Sequence, residues 1–566
     1  MMVTMIAMAL AATSGWLVRA ARSPPPATLV LHGGPIYTAS PAQPTAEAVA
    51  VAGKRILRVG SWRDMQALIG PDTAVVDLAG ATLVPGFEDA HGHVVGLGTS
   101  LEVLDLRDMP DIAHISALVG ERAGKMAEGK WVLGRGWDQN DWPTKTWPTR
   151  GDLDAVARDH PVALGRVDGH ASWANTRALA LAGITAATPD PSGGRLIRDA
   201  SGAPTGVLID TAQRLVARVI PAPDAGQIEA RILAADHELS RVGLTMVHDA
   251  GASSATIAAY QRLVASHRLS TRLYVMIDSS PETTREWFAR GPLVDPEHRL
   301  TVGAVKMYAD GALGSRGAAL LADYADEPGN RGLLVTPPSE LEAITRAAAR
   351  AGFQPCTHAI GDRANREMLD IYERTEADMP AMRALRPRLE HAQILTSVDI
   401  PRFAVLGVIA SMQPTHCTSD MPWATVRLGP ERIAEGAYVW QKLLKSGARL
   451  AAGSDFPVER PDPLLGFYAA VTRQDRAGQP PGGWAPDQRL TREEALAAFT
   501  IDAAYAAGAE RDLGSIEPGK LADFVVLSRD IMKVPFPEII GTTIVRTIVA
   551  GVTVFQAPAA PTGSSR

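Results

Sequence analysis

The stretch Gly86-Phe87-Glu88-Asp89-Ala90-His91-Gly92-His93 decides the fold. It follows the short apolar run Ala81 to Val84, which reads as a strand. In a strand, residues i and i+2 point to the same side. His91 and His93 therefore present two imidazoles to one point, as a metal site requires. A single His-x-His pair also arises by chance in a long chain. The reading depends on further ligands, each at the end of its own strand.

Working outward from His93, short apolar strand candidates alternate with Ala-, Leu- and Arg-rich helical stretches, the signature of a βα-repeat with a parallel sheet. The candidates are Leu83 to His93, Leu244 to His248, Leu273 to Ile277, Val302 to Tyr308, Gln354 to His358, Arg388 to His391, Val408 to Met412 and Leu450 to Asp455. Eight such units close a TIM barrel. The gap from His93 to Leu244 is too long for one crossover. It reads as an insertion at about 98–240, with strands Trp131 to Gly136 and Val162 to Val167 and hairpin turns at Gly193-Gly194 and Ala203-Pro204-Thr205-Gly206. Short alternating strands punctuated by glycine recur at both ends of the chain. The organisation that follows is α/β: a (β/α)8 barrel over 84–505, and a composite β-sandwich from 27–83 and 506–556.

The strand ends carry the chemistry. Lys306 lies in the apolar run Gly303-Ala304-Val305-Lys306-Met307. Burying an unpaired ammonium costs several kcal/mol or lowers its pKa until the amine is neutral. A neutral amine can add CO2, giving a carbamate that bridges two cations; the alternative is a lysine paired to Asp310 or another carboxylate. Strand five ends Cys356-Thr357-His358 and strand six ends Leu389-Glu390-His391, and imidazole is the usual nitrogen ligand for zinc and similar ions. Strand eight ends Gly453-Ser454-Asp455. Asp455 can ligate a cation and shuttle a proton, or Ser454 and Asp455 can cap the next helix. All six residues fall at C-terminal strand ends, the face where such barrels place their sites.

Composition narrows the classes. The 566 residues exceed one compact core and suggest two or three domains. A net charge of −6 and a pI near 6.1 leave no electrostatic footprint for nucleic acid. Cys356 and Cys417 are too few for a disulfide framework. Residues 1–18 are almost wholly apolar and are followed by Arg19 to Ser23 and a proline break, so 1–22 reads as a signal peptide or anchor; its n-region lacks Lys and Arg. A periplasmic or secreted location follows if it is a signal, a cytoplasmic one if the start is misassigned. No later segment reaches the length of a membrane span.

The chain resembles the amidohydrolase superfamily, specifically amidohydrolase family 3, the branch that includes N-substituted formamide deformylases. The motifs that carry the resemblance are Pro85 to His93, Lys306 to Arg316, His358 to Ala364, Arg388 to Ala392, Ser411 to His416 and Gly453 to Pro457. It spans about Thr28 to Phe555. It implies a hydrolase with one or two divalent ions, usually zinc, and no other cofactor. Carried over, His91, His93 and Asp455 would hold one ion, and carboxylated Lys306 would bridge to a second held by His358 and His391.

The expected activity is cleavage of a carbon–nitrogen bond in a small-molecule, non-peptide N-acyl or N-formyl amide. The alternatives are an esterase, lactonase or carbamate hydrolase on the same site, or a non-catalytic barrel protein. Asp455 is the proton carrier, and His416 and His170 are candidates to meet the oxyanion or the substrate. Arg316 and Arg363 can meet an anionic substrate or pair on the surface. Trp131, Trp137, Trp142 and Trp173 line a pocket or form ordinary core. The oligomeric state stays open, with a homodimer as one option.

Overall fold

The computed structural model describes residues 26–558, and the leader reading for residues 1–22 lies outside them. Eight parallel strands form the central sheet, here numbered β1 (Phe87–Gly92), β2 (Leu244–Ala252), β3 (Arg272–Asp278), β4 (Leu300–Tyr308), β5 (Gln354–Ala359), β6 (Arg388–His391), β7 (Ile409–Met412) and β8 (Leu450–Ala452). Each is hydrogen-bonded to the next in sequence order, as an α/β barrel requires.

The strand side chains obey the two-residue period. Met246, Tyr274, Met276, Ala304 and Cys356 meet in the barrel interior, closed below by Ala504, Leu513 and Leu521. Val247, Val275, Ile277 and Val305 belong instead to the large apolar cluster shared with the outer helices. With both faces covered, the strands are buried almost throughout, which is why they read as continuous apolar runs. Lys306 shares the parity of Ala304 and so points inward.

Between β8 and β1 no regular ladder forms. Individual bonds join the two strand ends: Asp455 N donates to His91 O at 2.7 Å and His93 N to Phe456 O at 2.8 Å. The seam of the barrel is thus made by residues of the candidate site.

The inserted segment forms a six-stranded sheet from Leu104–Asp105 to Pro204–Asp210. One face packs Trp137, Trp142 and Trp173 into its own core, and Trp131 lies against the apolar cluster on the other face. The tryptophans are ordinary core and line no pocket. The hairpin turn falls at Asp199–Ala203, where the Asp199 carboxylate accepts from Ser201 N and Ala203 N, while Gly194 and Pro204 open the two strands. The helix Ala225–Arg241 that follows packs Ile232, Ala235 and Leu239 on the barrel.

The third sheet draws strands from both ends of the sequence. Phe524–Leu527 pairs antiparallel with Thr82–Pro85, the strand that leads into β1. Arg272 of β3 grips Asp523 through two bonds of 2.6 and 2.9 Å, tying this sheet to the barrel. Among the described residues, no helix is long and apolar enough to cross a membrane.

Candidate metal centre

Donor atoms of His91, His391 and Asp455 lie within 4.8 Å of one another, and all three residues are buried. His91 sits near the end of β1, His391 ends β6 and Asp455 follows β8. Two of them need unusual backbone. His391 has φ 74° and Asp455 φ 59°, the left-handed region that costs a non-glycine residue about 1–3 kcal/mol. At His391 this breaks the strand alternation, so that Glu390 and His391 can serve the same centre.

Three of the four candidate ligand imidazoles are oriented through Nδ1, while His358 faces Gly311 O through Nε2 at 3.5 Å. His91 Nδ1 lies 2.5 Å from Glu390 Oε2, His93 Nδ1 2.8 Å from Ala250 O, and His391 Nδ1 2.7 Å from Gln413 Oε1. All three partners are acceptors, so each Nδ1 carries the proton and each Nε2 is left bare. The bare Nε2 of His93 stands 3.0 Å from Asp455 Oδ1, and that of His91 3.6 Å from the same oxygen. Lone pairs face lone pairs across this gap, an arrangement that a divalent cation satisfies. The donor set fits such an ion.

The electrostatics agree. Burial pushes His91 down to about 4, helped by Lys306, and carries His391 and His358 well below the ordinary imidazole range. These rings are neutral and free to ligate. Burial also lowers Lys306, against the pull of Glu390 and Asp455.

Lys306 Nζ lies 2.8 Å from His91 Nε2 and makes no ion pair with a described carboxylate. The pairing with Asp310 does not occur: Asp310 accepts instead from the backbone N–H groups of Ala319, Ile360 and Gly361. Nor is Asp455 a helix cap, since Ser454 Oγ donates to Asp89 and the next helix begins at Pro463. His358 stands beside the tight group, its ring centroid 4.5 Å from that of His391 and its Nε2 3.5 Å from Asp310 Oδ1.

His416, in the first turn of the helix Pro414–Leu428, stacks on His391 at 5.8 Å with Nε2 3.7 Å from Asp455 Oδ2. His170 enters from the inserted sheet, 5.5 Å from the His358 ring, with Nδ1 2.7 Å from Asp210. All eight residues named so far as ligands or helpers line one cavity of about 2090 Å³. Arg316 is taken up by Asp326 and Glu327. Arg363 makes no ion pair with a described residue, and neither arginine lines the cavity.

Sequence reasoning missed the supporting residues. Glu390 is fully buried, held well below the usual carboxylate range because Arg388 and His91 outweigh its burial. Arg388 Nε lies 2.8 Å from it, and the same guanidinium reaches His248 and Ser411. A buried Arg and Glu two apart on one strand were the available signal.

Comparison with known proteins follows the same line. The model of the amidohydrolase family matches residues 74–555. Protein LONG AFTER FAR-RED 3 of Arabidopsis thaliana is 35% identical over 545 residues, 93% of this chain and 91% of its own. N-substituted formamide deformylase of Arthrobacter pascens is 30% identical over 535 residues, 93% and 97% of the two chains. A solved structure of an uncharacterised metal-dependent hydrolase from Pyrococcus horikoshii OT3 superposes with a TM-score of 0.73 at 29% identity, covering 90% of this chain and 99% of that one.

Proposed function

The chain belongs to the amidohydrolase family, and from that premise we propose that this hydrolase cleaves a carbon–nitrogen bond in a linear non-peptide amide. The observation that carries the reading is the set of unprotonated His91, His93 and His391 Nε2 atoms gathered around the Asp455 carboxyl. The deformylase relative supports the choice of an amide.

His91, His93 and Asp455 would hold one divalent ion, zinc being the usual choice of such donors, and His358 with His391 would hold a second. Lys306 would join the set as its carbamate: the lone pair of the neutral amine attacks the carbon of CO2, the N–C bond forms as one C=O π pair moves onto oxygen, and an N–H proton of the adduct leaves to solvent. Such ions supply a polarised substrate carbonyl and a water that ionises near neutral pH. Asp455 accepts the proton of the attacking water and returns it to the leaving nitrogen. His416, beside Asp455, and His170, beside His358, are placed to donate to the oxygen that gains charge.

The test is Asp455→Asn with metal analysis and hydrolysis of matched formamide and ester substrates. Turnover falls by roughly 10²–10⁴-fold while most of the metal remains. Full activity in the variant removes Asp455 from this role, and ester hydrolysis without amide hydrolysis replaces the substrate class.

A further inference from the structure

The face of the inserted sheet that overlooks the cavity has a feature the metal centre does not use. Arg135, Gly165 and Ser172 stand in register across three adjacent strands, Val132–Trp137, Val162–Arg166 and Ala171–Ala174. Residues directly opposite share a face, and all three line the cavity. With strands about 4.8 Å apart, the Arg135 and Ser172 backbones are separated by about 10 Å, with only a glycine between them. A Cβ at Gly165 would meet nothing nearer than Arg135 Cγ at 3.7 Å. The position is a slot.

Both walls of the slot carry polar atoms without partners. Arg135 donates Nη2 to Val167 O at 2.9 Å, but its Nε is shielded from solvent and unbonded. Ser172 Oγ is equally buried and unbonded. Arg135 forms no ion pair with any described residue, whereas Arg166 is held by Asp138 and Asp168, and Arg107 by Asp105. A half-buried guanidinium without a counter-ion favours an anion supplied from outside. The slot also adjoins the reacting centre. The guanidinium nitrogens lie 3.5 Å from the place a Gly169 Cβ would occupy. The next residue is His170, whose ring is 5.5 Å from that of His358.

We infer that Arg135, with Ser172 Oγ across the Gly165 gap, binds a carboxylate borne by the non-reacting end of the amide. The substrate class is then an anionic amide, with the carboxylate on either the amine half, as in an N-acyl amino acid, or the acyl half, as in a dicarboxylic acid monoamide. The inference rests on the amide-hydrolase reading above.

Two matched pairs test it on the metal-loaded enzyme: N-acetylglycine against N-isobutylacetamide, and N-methylsuccinamate against N-methylpentanamide. The charged member of one pair is preferred by roughly tenfold or more in kcat/KM, chiefly through KM, and that pair identifies the half carrying the charge. Arg135→Gln brings the ratio towards one, and Gly165→Val, which plugs the slot with Arg135 in place, does the same. Metal content reports that both variants have folded. Equal rates within both pairs, or a preference that survives Arg135→Gln, overturns the inference and leaves the amide reading standing. If none of the four amides is hydrolysed, the amide reading fails, and calorimetric titration of the two charged compounds into the Asp455→Asn variant decides the subsite. Binding lost with Arg135→Gln supports it; no binding, or binding indifferent to Arg135, overturns it.

Discussion

Glu390 is not itself one of the candidate ligands, yet it sets the proton on His91. Its Oε2 accepts from His91 Nδ1 while Arg388 neutralises its charge. Glu390→Gln keeps the shape and one acceptor oxygen but removes the charge, so the hold on the His91 tautomer weakens and Arg388 is left buried without a counter-ion. We expect metal affinity to fall by about 10–100-fold in chelator competition, and stability in urea by about 3–5 kcal/mol. Unchanged affinity would show that His91 keeps its tautomer without Glu390. At this scale the sequence was legible where a residue type was out of place: Lys306 in an apolar strand and His-x-His after one. For Glu390 it offered only the charged pair Arg388 and Glu390 in one strand, and not the meeting with His391, because regular alternation sends neighbouring residues to opposite faces. Only the left-handed backbone at His391 and Ala392 brings Glu390 and His391 to one centre, and no residue pattern announces that bend.

The elements that meet there are β1 and β8, and their crossing has no room for a side chain. A Cβ at Gly453 would stand 2.6 Å from His91 N and from Asp89 Oδ1, and one at Gly92 would stand 2.4 Å from the Phe456 ring. Gly453→Ala therefore pries the seam open beside two ligands. We expect a loss of about 1–3 kcal/mol in urea denaturation and reduced metal content by elemental analysis; retention of both would mean the seam yields elsewhere. Most of the barrel strands could be read in advance because they are covered on both faces and so are largely apolar, as in β2, β3 and β4. The inserted hairpin could not. Its turn depends on the Asp199 side chain binding its own backbone, a local signal outweighed on the page by the glycines at 193–194 and 206.

At the scale of the whole molecule, Arg272 and Asp523 join the barrel to the sheet shared by the chain's two ends, far along the strand from the metal ligands. Asp523→Ala leaves a buried guanidinium unpaired, and we expect a loss of about 3–5 kcal/mol with metal content per folded molecule unchanged. A parallel loss of metal would couple the two regions. That shared sheet also has a consequence in time. Thr82–Pro85 leaves the ribosome roughly 440 residues before its partner Phe524–Leu527, about 20–90 s at ordinary rates of synthesis. Through that interval an apolar strand edge waits unpaired, and a nascent chain of this protein is exposed to aggregation from its first strands until nearly its last.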